Sequence, residues 1–481
     1  MSSTGEHVVD RLSSLPQDVL SDILSLMPTK FAVRTSLLSK RWRYTWTLVH
    51  SFDFKTTEDY NCSSYSRPEY VDWVLDHCKT SQVKIFRVLL DYGIPNSYCL
   101  QLISKVISLN VHELDIKHTN SISLPLSLLT CKTLTKLKLV SSGFWIPGPP
   151  FFWPSFVNLP NLKTLDVVLY GIYLGNALKL IHGCPVLENL YVEMGSWNGD
   201  DYSMVQTLKP LTLKVDHINL KRLTLKVHDT YSKLIANSIV LTLPNLEYFL
   251  FYGSMCIPFI IEEMSSLIEA KASCEVYHGD RLVQLLKGIS QAKSISLITK
   301  HSLGGDDHWD LPKLFPNLKQ LELEGYVGHK WNLIPQFLER SPNLEHLSIE
   351  KAYSYYWNKV KPIPACMRKL KTVKYTNGCY YHDLHFLKFI LSHSRVLKTL
   401  TVDCCTKFYK PEEEDLELFR GKLTKLRKAS RKCEIRFVGI WPADTLPVTH
   451  KQVQTRPNRV KRQAFFNNFL HYYNGSYAHC I

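Results

Sequence analysis

Through most of the chain, hydrophobic and polar residues follow one six-position pattern, Leu-x-x-Leu-x-Leu. Clear copies are LTKLKL at Leu134, LKTLDV at Leu162, LENLYV at Leu187, LKRLTL at Leu220, LKQLEL at Leu318, LEHLSI at Leu344 and LKTLTV at Leu397. Looser copies begin at Val83, Val111, Leu246, Leu267, Ala292 and Leu370. Alternation of apolar and polar residues within each copy is the mark of a strand with one buried face. From position 83 to 397 there are twelve steps over 314 residues, a mean of 26, with individual steps of 21 to 33.

A proline keeps the same phase, in LPNL (159–162), CPVL (184–187), LPNL (243–246), FPNL (315–318) and SPNL (341–344). Proline cannot continue a helix, so each one predicts the end of a returning segment just before the next strand. Between these marks, 176–184, 280–289 and 333–341 read as helices. The repeating unit is therefore strand, loop, helix and proline stop. One such unit cannot bury its leucine row alone, and stacking about a dozen builds one continuous core.

The first 54 residues do not share the pattern. Pro16 and Pro28 bracket a helix near 16–27. At 100° per residue, Leu12, Leu15, Val19, Leu20, Ile23, Leu24, Leu26 and Met27 fill one half of the wheel, while Gln17, Asp18, Ser21, Asp22 and Ser25 fill the other. That arc is wider than the stripe a surface helix normally hides. Two further short helices are predicted near 30–38 and 39–48. A module of about 40 residues without disulfide or metal rarely builds an adequate core, so the helix must dock on something. Two partners are open: the first repeats, with the module as a cap, or a separate protein.

The chain has 481 residues, of which 45% are hydrophobic and 21% charged, which excludes wholesale disorder, collagen and a simple coiled coil. Thirteen cysteines without a Cys-x-x-Cys pair point to neither a disulfide framework nor a zinc finger. The start, MSSTGEHVVDRLSS, has no apolar core of a secretion signal, and no stretch approaches a membrane span. The expected setting is reducing, nucleus or cytoplasm, and the sequons at Asn61 and Asn474 then stay unmodified. The net charge of +15 is uneven: residues 1–350 carry −1 and residues 351–481 carry +16. Part of that excess lies in 411–436, with five acids at 412–417 followed by Arg420, Lys422, Lys425, Arg427, Lys428, Arg431 and Lys432. This order reads as a solvated helix matched to its own dipole. Without interleaved exposed aromatics it does not point to nucleic acid. The tail, 441–481, has no repeat; its Arg459, Lys461 and Arg462 are a weak import signal, and its Phe and Tyr residues are poised to pack on the last repeat or extend from it.

No phosphate loop, GxSxG or HExxH occurs, and only Cys379-x-x-His382-x-x-His385 has metal-like spacing, without an evident fourth ligand. Catalytic residues, metal and cofactor are therefore all expected to be none.

Three resemblances organise these features. The repeat, with its phased proline, resembles the leucine-rich repeats of plant proteins with long units. Leu15-Pro16, the Leu20/Ile23/Leu24 cluster and LLSKRW at 37–42 resemble the F-box motif. The LKTV strand, DLHFLKFILSHS, VLKTLTV and the strand Cys433–Val438 resemble the FBD region that ends plant F-box/leucine-rich-repeat proteins. Together they imply an α/β fold: a three-helix F-box, then a solenoid with parallel strands on the concave face and helices on the convex face, ending in the FBD region. The implied boundaries are a disordered 1–9, F-box 10–54, linker or cap 55–82, repeats 83–365, FBD 366–440 and tail 441–481.

The resemblance implies a non-catalytic substrate receptor of a Skp–cullin–F-box ubiquitin ligase. Leu12, Leu15, Pro16, Val19, Leu20, Ile23, Leu24, Leu37, Leu38 and Trp42 would divide between the module's core and the surface for a Skp-type adaptor on a cullin–RING scaffold. The target, an unknown protein, would lie on the concave face. Alternation along the repeat aims Arg222, Thr224 and Lys226, then Tyr248, Leu250 and Tyr252, then Gln320, Glu322 and Glu324, then His346, Ser348 and Glu350 to that face. The tyrosine pair suits a partner, and Glu322, Glu324 and Glu350 would form an acidic patch. Alternatives are a repeat scaffold outside any ligase, a C-terminal nucleic-acid binder, and a small-ligand co-receptor, for which 1–350 offer no concentration of bases.

Overall fold

The computed structural model describes residues 11–55, 67–91, 93–118, 122–141, 151–152, 156–170, 174–195, 211–228, 236–255, 257–276, 279–299, 311–325, 333–350, 362–376, 383–404 and 413–439. The terminal segments 1–9 and 441–481, both sequons, and Cys379 and His382 lie outside the described residues.

The chain opens with α1 (Gln17–Ser25) and α2 (Thr29–Arg34) and enters β1 (Ser51–Asp53). There follow α3 (Pro68–His77), β2 (Ile85–Leu90), α4 (Asn96–Ser108), β3 (Glu113–His118), β4 (Ile122–Ser123), α5 (Leu126–Leu129), β5 (Lys136–Ser141), β6 (Phe151–Phe152) and β7 (Thr164–Tyr170). Next come α6 (Leu174–His182), β8 (Asn189–Gly195), β9 (Leu211–Asp216), β10 (Arg222–His228), β11 (Ala236–Thr242), β12 (Tyr248–Ser254), β13 (Phe259–Glu263) and β14 (Glu269–Glu275). The last part holds α7 (Gly279–Gly288), β15 (Ser294–Thr299), β16 (Gln320–Gly325), α8 (Leu333–Arg340), β17 (His346–Glu350), β18 (Thr372–Thr376), α9 (Asp383–His393), β19 (Thr399–Asp403), α10 (Glu413–Thr424) and β20 (Glu434–Val438).

Fifteen of these strands form one sheet in the order β1-β2-β3-β5-β7-β8-β10-β12-β14-β15-β16-β17-β18-β19-β20. All thirteen copies of the six-residue pattern are strands of this sheet, and β1 and β20 extend it at either end. Each neighbouring pair is parallel and in register, so Leu190, Leu223, Phe249, Ala270 and Ile295 form one row, all of it buried. Burying each large apolar side chain contributes about 2 kcal/mol, and a one-residue slip would turn the whole row outward.

The register is set where each strand begins. Two successive N–H groups of one turn donate to a single carbonyl of the turn before: Lys221 and Arg222 to Glu188, Glu247 and Tyr248 to Lys221, Lys319 and Gln320 to Lys293. The asparagine of the proline-marked motif adds a side-chain bond in the same direction. Asn161 Nδ2 donates to Lys132 O at 2.6 Å, Asn245 to Ile218 O at 2.9 Å, Asn317 to Gln291 O at 3.3 Å and Asn343 to Pro316 O at 2.6 Å. Asn219 does the same to Pro185 O at 2.9 Å without a preceding proline. The proline ends the return segment, and the asparagine clips the new strand to the old one.

The return layer is mixed. The three segments read as helices are α6, α7 and α8. Between α6 and α7, however, the returns are strands: β9, β11 and β13 form a separate parallel sheet in the order β13-β11-β9. Spacing accounts for β13 alone: the shortest step, from Leu246 to Leu267, leaves too few residues for a helix and both its connections, and an extended strand covers the same distance with fewer residues. By contrast, β9 and β11 lie in steps of 33 and 26 residues, no shorter than those that hold α6, α7 and α8. Helix α6 packs against β9 and α7 against β13, so the two return types join edge to edge.

Three expectations are corrected. Residues 39–44 are turns rather than a third helix, followed by a 3-10 turn at Thr45–Leu48. They are pulled in by Trp42 Nε1 donating to Ser13 Oγ at 2.9 Å and by Arg41 donating to the Leu15 carbonyl. The bases at 425–432 do not lie on a dipole-matched helix, because α10 stops at Thr424 and includes only Arg420 and Lys422. The turn beyond it is held on the preceding repeat by Ala429 N–H on Leu391 O at 2.8 Å and Ser430 Oγ on Leu397 O at 2.7 Å. Finally, although the cysteine spacing points to no disulfide framework, Cys404 is disulfide-bonded.

Gly253 has φ +124°, and a Cβ there would sit 1.9 Å from the Val227 carbonyl oxygen of the neighbouring strand. Gly253→Ala is expected to lower the unfolding free energy by about 2 kcal/mol, and Asn245→Ala by about 1 kcal/mol. Both are read from urea-unfolding midpoints.

Candidate interaction surfaces

At the N-terminus, α1 turns its polar side inward. Ser21 Oγ donates to Leu48 O at 2.8 Å, Gln17 Nε2 to Thr45 Oγ1 at 3.0 Å, and Ser25 Oγ lies 3.3 Å from His50 Nδ1. Leu20 and Leu24 fill the space beside these bonds with Ala32, Trp42, Trp46 and Val49. This core continues into the sheet. Trp46 stacks on Trp73 of α3 with centroids 5.2 Å apart, Asp53 N–H donates to Thr29 Oγ1 at 2.8 Å, and β1 pairs with β2.

The ten residues expected to divide between core and docking face now sort. Leu20, Leu24 and Trp42 are core, Leu15 and Ile23 are half-buried, and Leu12, Pro16, Val19, Leu37 and Leu38 are exposed. Leu26, on the apolar arc, joins the exposed set: it is 88% exposed and Leu37 is 85%. The module thus buries one face against the end of the sheet and leaves Leu26 and Leu37 on the other almost wholly in solvent.

Along the sheet the alternation holds: Leu223, Leu225 and Val227 are buried, while Arg222, Thr224 and Lys226 take the opposite face. The centre of this face is tied together around Glu193 of β8. Its carboxylate accepts from Tyr191 OH and from His228 Nε2 at 3.0 Å, with Lys226 Nζ at 3.7 Å. Lys226 lies 5.2 Å from the Tyr191 ring centroid, Arg222 4.9 Å from that of Tyr248, and the His228 and Tyr252 rings are 6.4 Å apart. Burial pushes the Glu193 carboxyl up, but the hydrogen bonds from His228 and Tyr191 and the charge of Lys226 outweigh it and hold the group at about 2. Tyr191, Glu193 and His228 were not among the expected residues, although the same two-residue alternation in LENLYVEMG and LKRLTLKVH places them there.

Leu250 is half-buried between its register partners Thr224 and Lys271. The acidic residues farther along bond to their neighbours: Glu322 accepts from Ser296 Oγ at 2.9 Å, and Glu350 accepts the Gly325 N–H at 2.7 Å. Glu324 lies next to Gly325 at the end of the same strand. His346 Nδ1 is 2.8 Å from Thr372 Oγ1. At the first strands, outward charges pair with one another, Arg87 with Asp53 at 3.2 Å and Lys55 with Asp115 at 2.6 Å.

Little here resembles a reacting group. Burial pushes the Cys184 and Cys366 thiols up to about 12 and Cys99 to about 11. Among the described residues no group of three His, Cys, Asp or Glu is placed to hold a metal, and no helix is long and apolar enough to cross a membrane.

Residues 12–54 match the F-box domain, and residues 101–265 match the leucine-rich repeats of the FBD-associated F-box protein At5g56370. The chain is 31% identical over 368 residues to the F-box/LRR-repeat protein At4g14103 of Arabidopsis thaliana, covering 70% of this chain and 91% of that protein. The chain belongs to the plant F-box/LRR-repeat family. Two other Arabidopsis thaliana relatives carry the FBD name: the FBD-associated F-box protein At5g60610, 29% identical over 82% of this chain and all of that protein, and the F-box/FBD/LRR-repeat protein At1g78750, 26% identical over 90% of this chain and 97% of that protein. In this F-box/LRR-repeat protein the F-box match ends at residue 54, one residue past β1, so the module and the repeat sheet share a strand.

A carboxylate held down in the folded state stabilises it above the unfolded value near 4.5, and that contribution is lost as pH falls toward about 2. Glu193→Gln is therefore expected to be less stable than wild type at neutral pH, with the gap closing across that window in urea-unfolding curves.

Proposed function

We propose that this F-box/LRR-repeat protein is the substrate-recognition subunit of an SCF-type ubiquitin ligase. The observation that carries the reading is the apolar set Leu12, Val19, Leu26, Leu37 and Leu38, left in solvent on the F-box after its other side has closed the end of the sheet. An apolar patch of this kind is buried in a partner, and a Skp-type adaptor on a cullin–RING scaffold is the partner of an F-box. The repeat face holds the target, with Arg222, Tyr248 and Leu250 as the accessible anchors above the Glu193 cluster. The chain contributes no bond chemistry: by holding both ends it raises the local concentration of target lysines beside the ubiquitin-loaded enzyme.

The docking of α1 on Trp46 and Val49 also supports a second reading, in which the module is only a cap and the protein is a scaffold outside any ligase. Pull-down separates the two. Wild type is expected to retain a Skp-type adaptor, and Leu37→Asp with Leu38→Asp to weaken retention by at least about tenfold without loss of fold, both positions being exposed. Leu20→Asp, by contrast, places a charge in the core and is expected to unfold the module. Failure of wild type to retain any adaptor favours the scaffold, and undiminished retention by the double variant removes this face from the interaction.

A further inference from the structure

The positive charge of the last third of the chain is not spread over its surface. The turns leading into β15, β16, β17, β18, β19 and β20 span 289–293, 313–319, 341–345, 368–371, 394–398 and 425–433, and they hold thirteen Lys and Arg against one acid, Glu345. The turns leading into β3, β5, β7, β8, β10, β12 and β14 hold three bases and two acids. Backbone bonds place the basic turns side by side. Lys319 N–H donates to Lys293 O at 2.8 Å, Glu345 to Lys319 at 2.9 Å, Lys371 to Glu345 at 2.7 Å, Lys398 to Lys371 at 2.8 Å and Glu434 to Lys398 at 2.9 Å. Five strand steps of about 4.8 Å make a strip about 24 Å long.

We propose that this strip docks an acidic polypeptide segment that also carries apolar side chains. Arg368, Arg395, Lys398 and Arg431 are exposed, whereas Glu345 is engaged by Lys371. So many like charges in adjacent turns repel one another, and a compensating partner removes that cost. Two exposed apolar residues, Leu314 and Val396, stand within the same turns. The one aromatic residue there, Phe315, is fully buried, so no ring is offered for base stacking. Charge with apolar contact and no stacking platform fits a peptide better than a nucleic acid. An extended segment of about eight residues spans the strip. The proposal rests on this rim alone and is independent of adaptor docking.

The test uses the full chain and a labelled peptide of about twelve residues repeating Glu-Glu-Leu, followed by fluorescence anisotropy. Wild type is expected to bind with an affinity that falls with salt. Arg368→Glu, Arg395→Glu and Lys398→Glu together are expected to weaken binding by at least about tenfold, and the charge-neutralising Gln versions by less. Lys132→Glu with Lys136→Glu, in the first half of the sheet, is expected to leave it unchanged. The proposal is overturned if wild type does not bind at low salt, if the Gln versions and the reversal both bind like wild type, or if a DNA duplex of about twelve base pairs binds more tightly than the peptide across the salt range.

Discussion

Everything in this protein hangs on the shared carbonyl at the start of each strand. Two N–H groups of one turn converge on one oxygen of the turn before, from His112 near the first repeats to Lys371 near the last. This joint fixes which residue of each strand stands beside which residue of the next, and with period-two alternation it decides the face of every side chain. The buried row and the outward rows are then not separate designs. Moving one joint by a residue would put Leu223 where Arg222 or Thr224 belongs and turn Lys226 into the core.

The same joint explains what could be read from the amino-acid order. The leucine pattern is a local signal that recurs with the strands, so all thirteen copies were legible even where Val, Ile or Ala replaced leucine. The proline was legible as a stop, but the asparagine beside it was not, because its bond goes to the previous turn more than twenty residues back. The strands of the second sheet are not legible, because an alternating segment between two repeats looks like an irregular loop until it is paired with the same segment of the next return. On the F-box, the wheel correctly showed an apolar arc wider than one contact. It could not show that Ser21 and Ser25 would face inward, because that depends on the Leu48 carbonyl and His50 lying opposite them.

The charge shows the same gap between order along the chain and order in space. From 412 to 432 acids precede bases, the order a helix dipole favours. Once α10 ends at Thr424, the later bases no longer belong with those acids. They belong with Lys398, Lys371 and Lys319, which lie far away in sequence and one strand apart in space. Within the sheet face, order along the chain likewise does not show the partners of a charge: Glu322 accepts from Ser296 of the neighbouring strand, and Glu350 accepts the Gly325 N–H.

The shared strand between F-box and repeats has a mechanical consequence for the proposed receptor. Trp46 on Trp73, Asp53 on Thr29 and β1 on β2 fasten the module to the end of the sheet. Six strand steps separate β1 from β10, about 29 Å at 4.8 Å each. A target gripped at Arg222 and Tyr248 is then held at a distance from the adaptor set by the number of repeats between them, and not by a flexible tether. Effective concentration falls steeply when a fixed span does not match the gap to be bridged, so in such a receptor the repeat count is itself a determinant of which lysines are reached.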